Sequence, residues 1–202
     1  KQRFFEKLPI QNAENNEFYF HCYAKNSIMA TKNLFFRTMN IGVLAIQGSV
    51  SEHISALEKC GVQAREVRDR ESLSEVSGLI IPGGESTTIG KLLCLYGLDV
   101  EIVRRVSGGM PIYGTCAGAI LLSKKTTGEK SDILKLLDID TARNAYGRQV
   151  ESFSTQISAP TISQKLIPAV FIRAPKIIRV GKNVEILARF RNEPVLVREK
   201  NI

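Results

Sequence analysis

The chain has 202 residues, 44% hydrophobic and 24% charged, which is typical of one soluble domain with an apolar core. Its formal charge is +8, but the basic residues form no stripe with interleaved aromatics, so nucleic-acid binding is not predicted. The longest apolar run, at residues 112–122, is broken by Gly and Thr and is too short to cross a bilayer. Four dispersed cysteines without a CxxC pair argue against disulfides and a zinc site, and favour a reducing cytoplasm.

The first 38 residues differ in composition from the rest. They hold eight of the 14 aromatic residues, among Asn-rich stretches without helical or strand periodicity. We therefore predict that residues 1–38 are an N-terminal extension outside the fold and that one domain occupies residues 39–202. Met39 or Met29 is the expected translation start. A transit peptide is the alternative, but the acidic residues and the scarcity of Ser count against it.

From Met39 onward, apolar runs alternate with helical patterns. The run from Asn40 to Ile46 is typical of a strand buried on both faces of a parallel sheet. Ser49 and Glu52 predict a capping box at the start of the next helix, and Gly61 its end. The elements that follow are predicted as a strand at 64–67, a short helix at 71–76, a strand at 78–81, a helix at 86–96 closing at Gly97, a strand at 111–114 and a helix at 117–122.

This alternation predicts a doubly wound, mostly parallel α/β sheet flanked by helices. After Asp138 the sequence is richer in short β-like runs, which predict an antiparallel extension at one edge. These runs are residues 153–157, 169–173, 184–190 and 195–197.

Cys116 lies between a predicted strand and a predicted helix, with Gly114 and Gly118 two positions to either side. This is the spacing of a nucleophile elbow, in which a strained backbone leaves no room for side chains at the two glycine positions. The helix N-terminus is expected to lower the pKa of the thiol, and the Ala117 N–H to stabilise an oxyanion. A structural cysteine in a tight turn is the alternative.

A second motif, Pro-Gly-Gly-Glu-Ser-Thr-Thr at 82–88, ends the preceding strand at the same sheet edge, where open α/β sheets bind ligands. Together with Gly-Thr-Cys-Ala-Gly at 114–118, it resembles one family of class I glutamine amidotransferases, the glutaminase subunits of pyridoxal 5′-phosphate synthase. The resemblance extends to the segments 41–48, 142–149 and 171–175. The expected fold is therefore class I glutamine amidotransferase-like, that is, flavodoxin-like.

The resemblance implies an enzyme that hydrolyses L-glutamine to glutamate and ammonia through a thioester on Cys116. It implies no cofactor and no metal. The ammonia would pass to a partner synthase subunit in a large hetero-oligomer that makes the vitamin B6 cofactor. The oxyanion hole is implied at Gly84 and Ala117, and the glutamine-binding residues that the resemblance implies are Gly84, Glu85, Ser86, Arg143, Ile172 and Arg173. A free amino acid needs a cation and acceptors, which agrees with this set.

In this family a His-x-Glu segment activates the cysteine, and none occurs in the 202 residues. The two histidines are His21, in the extension, and His53, which is expected at the surface or an interface of the first helix. We therefore expect a domain truncated at its C-terminus, with little activity as it stands. A non-catalytic homologue or fragment that only docks on the synthase is the alternative. The glutaminase of histidine biosynthesis and a stress-type α/β cysteine protein fit the motifs less well.

Overall fold

The computed structural model describes residues 9–12, 17–20, 40–128, 133–143 and 152–202. The part of the 142–149 motif that follows Arg143 therefore lies outside the described residues. Two short N-terminal strands, β1 (Pro9–Asn12) and β2 (Glu17–Phe20), form an antiparallel hairpin beside the first helix of the domain. No helix in the described part of the chain is long and apolar enough to span a membrane.

A four-stranded parallel sheet forms the centre of the domain, as predicted. Its strands follow the order β4-β3-β5-β6, so the chain winds outward in both directions from β3. The strands are β3 (Asn40–Leu44), β4 (Gln63–Val67), β5 (Gly78–Ile81) and β6 (Ile112–Gly114). The helices are α1 (Val50–Lys59), α2 (Arg70–Ser74), α3 (Ser86–Leu95), α4 (Leu98–Ser107) and α5 (Ala117–Leu122).

The central strands bury side chains on both faces, because helices cover both. On one face Val43 and Ile80 pack with Leu57 of α1. On the other face lies a larger cluster with Leu79 and helices α3, α4 and α5. Burying one such side chain stabilises the fold by about 1.5–3 kcal/mol, and this explains the uninterrupted apolar sequence of β5.

The remainder of the chain forms antiparallel hairpins and a mixed sheet. Strands β9 (Phe153–Ile157) and β10 (Ile167–Phe171) pair antiparallel, as do β12 (Glu185–Phe190) and β13 (Glu193–Arg198). The sequence did not predict the mixed sheet, in which β8 (Leu137–Ala142) lies between β7 (Ser123–Thr127) and β11 (Lys176–Val180).

The helix ends differ from the predicted caps in one place. The side chain of Ser49 makes no capping bond, so the predicted box with Glu52 is wrong; Glu52 instead accepts from Ser51. The backbone of Ser49 is bonded elsewhere, since its N–H donates to the Gly83 carbonyl oxygen at 2.9 Å. Gly61 has the positive φ of 67° predicted for a residue that ends a helix.

Candidate active site

Cys116 occupies the sharp turn between β6 and α5. Its φ of 48° and ψ of −103° are rare for a residue with a side chain, and such strain costs about 1–3 kcal/mol. The flanking glycines make the turn possible. A Cβ on Gly114 would lie 2.6 Å from the backbone of Gly118, and a Cβ on Gly118 would collide with the carbonyl oxygen of Ile81 in β5. The elbow geometry predicted from the glycine spacing is therefore present.

Backbone hydrogen bonds fix this turn against the sheet. The Thr115 N–H donates to the Ile81 carbonyl at 3.0 Å, and the Gly118 N–H donates to the Thr115 carbonyl at 2.8 Å. The helix then continues from the Cys116 carbonyl, which accepts from Ile120 at 3.2 Å. Strand β5 thus determines where the thiol lies.

The Cys116 thiol does not have the lowered pKa expected from its position before a helix. Burial raises its pKa, while a hydrogen bond from the Ala117 N–H and the charge of Arg173 oppose the shift only in part. Burial penalises the thiolate more strongly than the Ala117 N–H and Arg173 favour it. A proton acceptor is therefore needed to form the nucleophile.

The loop at 82–88 lies directly against the elbow. A Cβ on Gly83 would lie 3.4 Å from the Cβ of Cys116. Gly84 is equally confined, because a Cβ there would lie 2.5 Å from the side-chain oxygen of Gln47. That oxygen accepts from the backbone N–H of Glu85 at 2.9 Å and holds the loop. Sequence reasoning missed this role of Gln47, although its place at the end of β3 on the ligand-binding edge was a usable signal.

Glu85 caps helix α3. Its carboxylate accepts from the Thr87 N–H at 3.1 Å and from the Thr88 N–H at 2.7 Å. Burial raises its pKa, but the hydrogen bonds from Thr88 and Thr87 outweigh that effect and lower the pKa to about 2. The next residue, Ser86, is 2% exposed, and its hydroxyl has no hydrogen-bond partner among the described residues.

Arg143 reaches this loop from the end of β8. Its guanidinium donates to the Thr87 hydroxyl and to the Glu85 carboxylate, both at 3.0 Å. Arg173 follows β10, has a positive φ of 46° and lies close enough for its charge to lower the pKa of the Cys116 thiol. Ile172 beside it is 46% exposed. Of the predicted site residues, Glu85 and Arg143 are therefore in direct contact. Arg173 is connected to the site by the effect of its charge on the Cys116 thiol.

His53 is not at the surface, which corrects the sequence expectation. It is 1% exposed on the inner face of α1. Its Nδ1 lies 2.7 Å from the Ser49 carbonyl oxygen, and its Nε2 lies 3.3 Å from the Thr115 hydroxyl. Neither Thr115 nor this contact was predicted, because helical periodicity alone does not reveal which strand end a helix faces.

Residues 43–202 match the SNO glutamine amidotransferase family. The chain belongs to this family. The match covers the elbow, the loop at 82–88 and strands β4, β5 and β6 in full, together with the last two residues of β3.

Individual known proteins are similar to this one over most of the chain. The pyridoxal 5′-phosphate synthase subunit PdxT of Thermotoga petrophila is 51% identical over 164 residues, 81% of this chain and 87% of the relative. The PdxT of Pelotomaculum thermopropionicum is 48% identical over 161 residues, 80% of this chain and 82% of the relative. A crystal structure of a glutamine amidotransferase is 47% identical with a TM-score of 0.75, covering 80% of this chain and 85% of that one.

Proposed function

We propose that this protein is a glutaminase that hydrolyses L-glutamine to glutamate and ammonia, and delivers the ammonia to a synthase partner that makes pyridoxal 5′-phosphate. One observation carries the proposal: Cys116 stands in a strained elbow against the glycines of a loop that supplies backbone donors and a carboxylate. Family membership and the similarity to PdxT subunits support the choice of glutamine and of the partner. The assembly would be a hetero-oligomer in the cytoplasm.

In this reaction the sulfur of Cys116 attacks the side-chain carboxamide carbon of glutamine. The carbonyl oxygen becomes an oxyanion, which the backbone N–H groups of Gly84 and Ala117 would stabilise. Collapse of the intermediate breaks the C–N bond, and the leaving nitrogen takes a proton and departs as ammonia. Water then hydrolyses the thioester to glutamate and restores the thiol.

The polar groups of the site suit a free amino acid. Glutamine presents a carboxylate and an ammonium. The Arg143 guanidinium is positively charged and the Glu85 carboxylate, 3.0 Å away, is negatively charged, so the pair offers a partner for each. We propose that Arg143, with Arg173, binds the carboxylate and that Glu85 binds the ammonium. The buried Ser86 hydroxyl would then gain a partner from the substrate, and Ile172 would line the pocket.

The raised pKa of Cys116 means that turnover needs a base. His53 does not take that part, because its two ring nitrogens face Ser49 and Thr115. We propose that a His-x-Glu segment supplies the base, as the family resemblance implies, and that the 202-residue chain alone turns over glutamine poorly. A positioned base contributes about 10² to 10⁴ in rate.

The first experiment is labelling of Cys116 by 6-diazo-5-oxo-L-norleucine, a glutamine analogue that alkylates thiols, with peptide mass spectrometry to locate the adduct. Labelling should occur at Cys116, should slow in excess L-glutamine, and should disappear in Cys116→Ser. Cys94→Ser is the matched control, because Cys94 is exposed and belongs to α3 away from the elbow. Labelling without glutamine protection would refute a glutamine site.

The second experiment is glutamate release in the presence of the synthase partner. Joining a segment that contains His-Pro-Glu after Ile202 should raise the rate by at least about a hundredfold. Such a segment would start beside the elbow strand, since the Ile112 N–H of β6 donates to the Asn201 carbonyl at 2.9 Å. Equal rates with and without the segment would mean that another group is the base. A chain that binds the synthase but releases no glutamate, even with the segment, would be the non-catalytic homologue that only docks on the synthase.

A further inference from the structure

The contacts of His53 define its tautomer. A carbonyl oxygen only accepts, so Nδ1 at 2.7 Å from the Ser49 carbonyl carries the proton. Nε2 is then the acceptor for the Thr115 hydroxyl at 3.3 Å. Burial lowers the pKa of His53, opposed by the Ser49 carbonyl and by Glu52, so the neutral ring that this tautomer requires is favoured.

Both partners of His53 are themselves bonded to the two halves of the site. The Ser49 N–H donates to the carbonyl of Gly83, whose neighbour Gly84 is the proposed oxyanion donor. Thr115 is the residue before Cys116 in the chain. One buried imidazole therefore connects the glycine loop to the nucleophile through side-chain and backbone hydrogen bonds.

We propose that His53 is a positioning residue that sets the separation between the glycine loop and the Cys116 thiol. The inference rests on the proposed function. The separation determines whether the carbonyl oxygen of the substrate can reach the N–H donors of the oxyanion hole while the carbonyl carbon is in contact with the sulfur of Cys116. A displacement of about 1 Å in such a site costs about a hundredfold in rate. The bonds from His53 restrain both sides at once, in addition to the backbone bond from the Thr115 N–H to the Ile81 carbonyl of β5.

A purely structural histidine would only hold α1 to the domain. Thr115 separates the two roles, since its hydroxyl is the link to the elbow and its methyl group contributes only packing. Thr115→Val removes the link and keeps the shape, whereas Thr115→Ser keeps the hydroxyl. His53→Asn keeps a donor for the Ser49 carbonyl, because the Asn amide nitrogen superposes on Nδ1, and loses the acceptor for Thr115.

The first test is the labelling of Cys116 by the diazo ketone as a function of its concentration. Thr115→Val and His53→Asn should each lower the maximal rate about tenfold with the half-saturating concentration unchanged, and Thr115→Ser should stay within twofold of the unsubstituted chain. The double variant should lose no more than either single one, because both remove the same link. Thermal melting followed by circular dichroism is the control for unfolding, because the exposed Cys94 would be labelled in the folded and the unfolded chain alike.

The second test measures the separation without using glutamine recognition. The 3.4 Å between the Cβ of Cys116 and a Cβ on Gly83 is close to disulfide geometry, so Gly83→Cys provides a pair that oxidised glutathione can join, taking up the two electrons. In that background Thr115→Val and His53→Asn should lower the equilibrium constant for closing the disulfide about tenfold, and Thr115→Ser should not.

The two tests fail in different ways. If glutamine does not slow the labelling of Cys116 in the unsubstituted chain, the proposed function is wrong. The disulfide equilibrium would still test whether His53 is a positioning residue. Unchanged disulfide closure in Thr115→Val and His53→Asn would overturn the positioning role, as would effects that multiply in the double variant. A loss confined to His53→Asn, with Thr115→Val like the unsubstituted chain, would reduce His53 to a structural contact of α1.

Discussion

Replacing Gly118 by Ala tests whether close packing of α5 on β5 determines the position of the nucleophile. The added Cβ would lie well within 3.0 Å of the Ile81 carbonyl oxygen and at 3.0 Å from two further Ile81 atoms. Restoring van der Waals separation requires α5 to move by about 1 Å. Because the obstacle is backbone in a central strand, no side chain can rotate to relieve it.

Overpacking of this kind costs about 1–3 kcal/mol, and for a chain of this size each kcal/mol lowers Tm by about 2–4 °C. We expect the upper half of that range, a loss of about 4–12 °C. The same 1 Å shift carries Cys116 with it, so labelling by the glutamine analogue should slow about a hundredfold. Thermal melting followed by circular dichroism and the labelling rate at Cys116 measure the two effects.

Gly108→Ala is the control. Gly108 follows α4 with an ordinary φ of −75°, and an added Cβ there would meet its nearest atom, the Arg105 carbonyl oxygen, at 3.3 Å. Its effect should stay below about 1 kcal/mol. The reasoning is refuted if Gly118→Ala melts like the control, or if it melts early but labels at the normal rate, since the elbow would then not depend on this contact.

Three further predictions follow from other parts of the chain. The pKa of Glu85 in the folded chain is about 2, against an ordinary value of 4.5. The stability that its carboxylate adds at the helix cap is therefore fully present above about pH 4.5 and is lost as the pH falls toward 2. The melting temperatures of the unsubstituted chain and of Glu85→Gln should differ above about pH 5 and converge at about pH 2. Removing residues 1–38 should leave the melting temperature and helical signal unchanged, because the central sheet begins at Asn40, and a clear loss of either would mean that the hairpin supports the fold. Charge reversal in Glu52→Lys should weaken co-purification with the synthase subunit, because Glu52 is exposed on α1; unchanged affinity would remove this face from the interface.

The elbow and the central sheet were predictable because their signals are local. A strand buried on both faces must be apolar throughout, as in β5, and a turn with a strained residue excludes side chains at the neighbouring Gly114 and Gly118. Strand β8 also carried a readable signal, since Leu137, Ile139 and Thr141 are buried and alternate with half-buried neighbours. Its partner β7 is largely polar and gave no such pattern.

The chemistry of individual groups was less predictable, because it depends on what folds around them. The position of Cys116 before a helix indicated a lowered thiol pKa, yet the surrounding domain buries the sulfur and raises it. His53 lies on a helix whose sequence does not reveal that this position faces the end of β6. The capping role of Glu85 likewise depends on the Gln47 bond that holds its backbone.

Burial of the Cys116 thiol also affects how easily the protein is oxidised. Peroxide oxidises thiolates rather than thiols, and the raised pKa leaves Cys116 protonated at neutral pH, so sulfenic acid forms slowly at the resting site. Removal of the proton by a base then raises the reactivity of the sulfur. The protonated resting state therefore protects the nucleophile from oxidation between turnovers.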